Sequence, residues 1–213
     1  MKHIKAVVFD MDGLMLDSER LALRALKRAG DRLGLAFTDD MLHGCIGLNA
    51  AGSNAYLAQA LGREIPPHDL SSAFLTEYEI ELAQGGVPRK AGLVELLDFL
   101  KEAGLRRAVA TSTATALAER KLSQAGVLNY FEFVVGGDAV RQGKPAPDPY
   151  LQAASRLGLP AQSCLALEDS ENGARAALAA QMTVIIVPDI KLPAESLRAA
   201  AAACLDSLHH VRD

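Results

Sequence analysis

Four short stretches of this chain gather groups that could handle a phosphoryl group and a metal ion. They are Asp10-Met11-Asp12-Gly13, Thr111-Ser112-Thr113, Gly143-Lys144-Pro145-Ala146-Pro147-Asp148 and Glu168-Asp169-Ser170. A carboxylate is ionised at pH 7, so one aspartate can attack phosphorus with no activating base. A second, held protonated, can protonate the leaving oxygen and later take a proton from water. An Asp-x-Asp pair at a strand end suits that division of labour, because residues two apart leave a strand on the same side. Three or four crowded carboxylates repel one another and stay partly protonated. A hard divalent cation removes the repulsion, and Mg2+ prefers a few carboxylates together with water and substrate phosphate oxygens. Thr111 or Ser112 and the Lys144 ammonium would supply donors and positive charge for the phosphoryl oxygens.

For these stretches to meet, the elements between them must deliver each to the same place. Ile4–Phe9 is a short apolar run ending at Asp10 and reads as a buried strand. The pattern from Asp17 to Val87 is helical throughout, with helices expected at Ser18–Gly34, Ala50–Leu61 and His68–Gln84. Beyond Gly85-Gly86 helices alternate with short apolar strands. The strands are expected at Leu105–Ala110, Phe131–Val135, Ser163–Leu167 and Thr183–Val187, with a last helix at Ala194–Leu208 over the alanine run. Such alternation predicts an α/β fold, a doubly wound parallel sheet with an inserted all-helical domain. The domains are expected at 1–16 with 88–213, and at 17–87. In open parallel sheets ligands collect beyond the carboxyl ends of the strands, where the polar stretches fall.

With the residues in this order, the chain resembles the haloacid dehalogenase-like superfamily. The segment Asp10-Met11-Asp12-Gly13-Leu14-Met15-Leu16-Asp17-Ser18-Glu19 is similar to its first motif, Thr111-Ser112 to the second, Lys144-Pro145 to the third and Glu168-Asp169-Ser170 to the fourth. The likeness spans residues 5 to 188, and the nearest subgroup is the helical-cap phosphatases and phosphomutases of the β-phosphoglucomutase type. The resemblance implies a Rossmann-like core with strand order 3-2-1-4-5, the helical block as a cap, and Mg2+ as cofactor. It implies Asp10 as the nucleophile that becomes an aspartyl-phosphate and as a metal ligand, and Asp12 as general acid/base whose carbonyl also meets the metal. Asp169 would be a metal ligand, with Glu168 either a ligand or its structural partner. Thr111 and Lys144 would hold the phosphate with the amides of Ser112 and Thr113. Asp17 reads as a structural or hinge residue rather than a catalyst, and Asn172 as a helper to the metal.

The expected activity is a Mg2+-dependent phosphatase acting on a small phosphorylated metabolite, such as a sugar phosphate. A dehalogenase is disfavoured because Asp12 is present, and a phosphonatase because Lys27, the one lysine of the helical block, sits among solvent-facing basic residues. The alternative is a mutase. In β-phosphoglucomutases a cap histidine and a cap arginine retain the bisphosphate intermediate; here those positions fall at Ala22 and near Ala50. From another class, a phosphate-accepting or ligand-binding module is opposed by the long helical block and by Asp12. Gly44, Gly47 and Gly52 mark a bend in the block, where Asn49, Ser53 and Asn54 could contact substrate. Two residues depart from the family pattern: Gln181 where a glycine is usual, and Ala91 in place of a proline.

Composition narrows the partners. Of 213 residues, 22 are basic and 26 acidic, a net charge of −4, so nothing general draws the chain to nucleic acid or an anionic membrane. Half the residues are hydrophobic, which excludes global disorder. The first apolar run is cut off by Asp10, too short for a signal-peptide core, and no run is long enough to span a membrane. Cys45, Cys164 and Cys204 form no framework, and a sparse odd count suits a reducing cytoplasm. His43, His68, His209 and His210 lack metal-site spacing, and His3, before the first strand, reads as a solvated residue. No obligate protein partner is implied.

Overall fold

The computed structural model describes residues 4–46, 48 and 50–212. His3, Gly47 and Asn49 lie outside the described residues, as does the side chain of Ala50. The chain forms two compact units, Met1–Asp17 with Pro88–Asp213, and Ser18–Val87.

The larger unit is built on strands β1 (Ala6–Phe9), β2 (Arg106–Ala110), β3 (Val134–Val135), β4 (Cys164–Glu168), β5 (Thr183–Ile186) and β6 (Ala203–Cys204), ordered β3-β2-β1-β4-β5-β6. Every pairing is parallel. All four residues of β1 are buried because it has a strand on each side and helices over both faces, which is why it reads as an unbroken apolar run. Its register sets Phe9 opposite Val109 on one side and Leu167 on the other. Asp10, Thr111 and Glu168 therefore leave or end neighbouring strands at the same edge. Helices α5 (Leu93–Glu102), α6 (Thr115–Gln124), α7 (Asp148–Arg156), α8 (Glu171–Ala179) and α9 (Glu195–Ala200) cover the sheet. Alanines 108, 110, 166, 174 and 177 in one core cluster let helix and strand backbones approach closely.

Two expectations in this unit need correction. The C-terminal helix ends at Ala200 rather than Leu208, and the chain then extends as β6. Alanine favours helix, but β5 would otherwise expose an unpaired edge; Ala202 N donates to Val184 O at 2.8 Å and Leu205 N to Ile186 O at 2.8 Å. The third strand is confined to Val134–Val135 because the chain leaves the 3-10 turn Leu128–Tyr130 through a bend at 131–132.

The smaller unit holds α1 (Ser18–Arg32), α2 (Asp39–Gly44), α3 (Ala50–Leu61) and α4 (Pro67–Gly85) around Leu26, Ala29, Phe37, Leu42, Leu57 and Leu70. On α1, Leu26 and Ala29 belong to this core, while Arg24 and Arg28 both reach Glu81 of α4. Helix α2 was hidden in the sequence by its shortness. Thr38 caps it, its hydroxyl accepting from Met41 N at 3.3 Å. Asn54 donates to Ile65 O at 3.0 Å, and Ser53 meets the Cys45 thiol, so both side chains have partners inside the unit.

Candidate active site

The site is assembled at the carboxyl edge of the sheet. Asp10 follows β1 directly, and its amide donates to Leu167 O at 2.9 Å, continuing the ladder by one residue. The chain then turns tightly, with Met15 N and Leu16 N both donating to Met11 O. Gly13 adopts φ +89°, and a Cβ there would lie 2.2 Å from Asp169 Oδ2, so this loop lies directly against the Asp169 carboxylate.

One chain of contacts runs from Asp10 into the core. The Lys144 ammonium donates to Asp10 Oδ1 and, at 2.5 Å, to Glu168 Oε1, which also accepts from the Tyr150 hydroxyl. Glu168 Oε2 accepts from Asp169 N at 3.2 Å, Ser170 N at 3.4 Å and Ser170 Oγ at 3.1 Å. Ser170 Oγ in turn accepts from Gly173 N at 3.1 Å, capping α8. The Lys144 ammonium lies 5.0 Å from the centre of the Tyr150 ring. Glu168 is entirely buried, as a carboxylate can be only when donors surround it. Burial pushes the Asp10 carboxyl up to about 8, against the pull of Lys144. Burial opposes the charge on Lys144, but Asp10 and Glu168 outweigh it and raise its pKa. Burial, with Glu168 beside it, raises the Tyr150 hydroxyl well above the usual phenol range.

A second set of contacts holds Asp12. Its Oδ1 accepts from Lys121 Nζ at 2.9 Å and its Oδ2 from Thr113 Oγ1 at 2.6 Å. Thr113 N donates to Thr111 Oγ1 at 3.1 Å, and the buried Thr111 sends its own amide to Val135 O at 3.0 Å. The Thr113 amide is thus engaged locally, while the Thr111 hydroxyl keeps its proton to donate. Ser112 is exposed, and a Cβ on Gly137 would come within 2.4 Å of its carbonyl oxygen.

Asp10, Glu168 and Asp169 each offer an oxygen within 4.8 Å of the others. Asp169 Oδ1 is buried with no hydrogen-bond partner, and burial plus the Asp10 and Glu168 charges raise its pKa well above the carboxylate range. An all-oxygen donor set with an orphaned buried oxygen fits a hard divalent cation. Asp10 and Asp169 are the better-placed donors, because both Glu168 oxygens already accept from protein groups.

The structure thus brings Asp10, Lys144, Glu168 and Asp169 together, sets Asp12 beside Thr113, and leaves Ser112 and Asn172 exposed. Asp17 donates its amide to Pro88 O at 2.8 Å, where the two crossings of the chain run side by side. Sequence reasoning missed Lys121, Tyr150 and the Thr113 hydroxyl. For Lys121 there was a signal: it falls three residues after Ala118 and one before Leu122, on the buried face of α6. A lysine there breaks the apolar pattern and calls for a partner.

The family model for haloacid dehalogenase-like hydrolases matches residues 7–187. Protein CbbY of Rhodobacter capsulatus is 34% identical over 197 residues, covering 87% of this chain and 86% of that protein. The fructose-1-phosphate phosphatase YqaB of Escherichia coli is 34% identical over 184 residues, covering 85% and 95%. Among solved structures, CbbY from Rhodobacter sphaeroides in complex with xylulose-1,5-bisphosphate superposes with a TM-score of 0.77 at 28% identity, covering 97% of this chain and 95% of that one. The chain belongs to the haloacid dehalogenase-like hydrolases. Within that family it is a phosphoric monoester hydrolase. Among the described residues no helix is long and apolar enough to cross a membrane.

Proposed function

We propose that the protein is a Mg2+-dependent phosphatase of small phosphorylated metabolites, a sugar phosphate foremost, working through an aspartyl-phosphate. The observation that carries the reading is the Asp10–Lys144–Glu168 chain beside the unpartnered Asp169 Oδ1. The named activities of the relatives, a fructose-1-phosphate phosphatase and a protein that binds xylulose-1,5-bisphosphate, support the substrate class.

In this reading Asp10 attacks phosphorus through a carboxylate oxygen, the bond to the leaving oxygen breaks, and protonated Asp12 delivers its proton to that oxygen. Asp12 then takes a proton from water as the water oxygen attacks the phosphorus of the aspartyl-phosphate, releasing inorganic phosphate and restoring Asp10. Lys144, the Thr111 hydroxyl and the Ser112 amide hold the phosphoryl oxygens. Asp10, Asp169 and the Asp12 carbonyl would hold Mg2+, with Glu168 fixing Lys144. Bound there, the cation favours the ionised carboxylates and neutralises phosphoryl oxygens. Ala22, standing where β-phosphoglucomutases place a histidine, supports water rather than a second sugar hydroxyl as the acceptor. A reducing cytoplasm fits the sparse cysteines.

The test is phosphate release from sugar phosphates, nucleotides and an aryl phosphate, in Mg2+ and in EDTA. Release that needs Mg2+ and disappears in Asp10→Asn is expected. Silence on the whole panel, with turnover of a hexose 1-phosphate primed by a bisphosphate, would replace the phosphatase with a mutase.

A further inference from the structure

Lys121 is buried on α6 beside Ala118 and Leu122, where a leucine or methionine would satisfy the core. Its ammonium lies 2.9 Å from Asp12 Oδ1, across 109 residues of sequence. From the other side the Thr113 hydroxyl meets Asp12 Oδ2 at 2.6 Å. Each oxygen of this one carboxylate thus has its own donor, and both donors are carried by the second core strand's loop and the helix that follows it. Asp10, two residues earlier, has a separate tether in Lys144. The two aspartates of the first loop are therefore oriented by different lysines from different elements.

We propose that Lys121 is a positioning residue for the acid/base, fixing the direction of the Asp12 carboxylate with Thr113 as its counterpart. A flexible carboxylate at a loop end would sample many rotamers, and proton transfer needs the donor within hydrogen-bond reach of the leaving oxygen. A helix-borne ammonium and a loop hydroxyl, one on each oxygen, restrict both side-chain torsions at once. The inference rests on the phosphatase reading and adds the group that makes its proton transfer efficient.

The prediction is selective. An alkyl or sugar phosphate leaves as a strongly basic alkoxide and needs its proton as the bond breaks. 4-Nitrophenyl phosphate leaves as a stable phenolate and does not. Because kcat/KM covers the steps through loss of the leaving group, Lys121→Met is expected to lower it about 10- to 100-fold on a sugar phosphate. On 4-nitrophenyl phosphate the loss should be under about threefold, and Lys121→Arg should keep the wild-type ratio between the substrates. A merely structural lysine would lower both substrates alike, and equal loss in a Lys121→Met protein that melts like wild type overturns the proposal. If Lys121→Met does not fold, Thr113→Val puts the same question to the other oxygen, with selective loss supporting the proposal and equal loss overturning it. A wild type that releases phosphate from neither substrate overturns the phosphatase reading and this one with it.

Discussion

Replacing Gly173 by alanine should destabilise the protein although alanine is the better helix former. Gly173 is the third residue of α8, and a Cβ there would lie 1.8 Å from Glu168 Oε1 and 2.1 Å from Oε2. Ordinary contact needs well over 3 Å, so the Glu168 carboxylate, 0% exposed, must move by more than an ångström. That shift loosens its bonds to Lys144 and to Ser170. Breaking a buried pair by displacing one partner costs about 3–5 kcal/mol. The gain from Gly to Ala in a helix is about 1 kcal/mol, which leaves a net loss of about 2–4 kcal/mol. For a chain of this size that lowers Tm by about 4–16 °C. Thermal melts followed by circular dichroism test it, with Gly85→Ala as a control because nothing lies within 4 Å of a Cβ at that helix end. A Gly173→Ala protein as stable as wild type would refute the claim that α8 approaches Glu168 this closely.

Two further outcomes follow from the same structure. In EDTA, Tm should fall from pH 5 to pH 8: Asp10 has its pKa raised by burial to about 8, so the folded state holds a proton that the unfolded chain releases above about 4, and that stability is lost as pH rises. Asp169, raised by burial as well, acts in the same direction, and Mg2+ should restore the Tm at pH 8; a flat profile in EDTA would contradict the buried, mutually repelling carboxylates. Gln181→Gly should raise Tm by about 1–4 °C, since Gln181 has φ 63° at the C-terminus of α8 while its amide donates to Leu178 O and Met182 N to Ala177 O, a left-handed turn that, after glycine's own entropy cost, favours glycine by about 0.5–1 kcal/mol; an unchanged or lower Tm would mean that its side-chain bond with Gln162 offsets the strain.

The legible part of the site is the part carried by short stretches. Asp10-x-Asp12, Thr111-Ser112 and Glu168-Asp169 each stand just after or at the end of a strand-like run, Lys144 follows in the longer loop beyond the third strand, and the alternation of helix and strand implied that the parallel strands would present those ends at one edge. Gln181 was legible as a departure, and its positive φ shows what the departure does to the backbone. Less legible was anything decided by competition between distant groups. The alanine run after Ala194 has high helix propensity, yet it yields after Ala200 because β5 offers ladder partners. Helix α2 is six residues long, below the length at which periodicity speaks.

Composition, motif order and hydrophobic period by themselves determined the α/β class, the helical insertion and the stretches that supply the polar groups of the candidate site, because each of these is a local property repeated along the chain. Tertiary structure decided which groups act on which. Lys144 joins Asp10 to Glu168, Tyr150 closes over Glu168, Lys121 takes Asp12, and Asp169 keeps an oxygen without a partner. These pairings depend on burial, which removes water and obliges each charge to find its partner among whatever side chains the fold happens to bring near, and no spacing along the sequence encodes that choice.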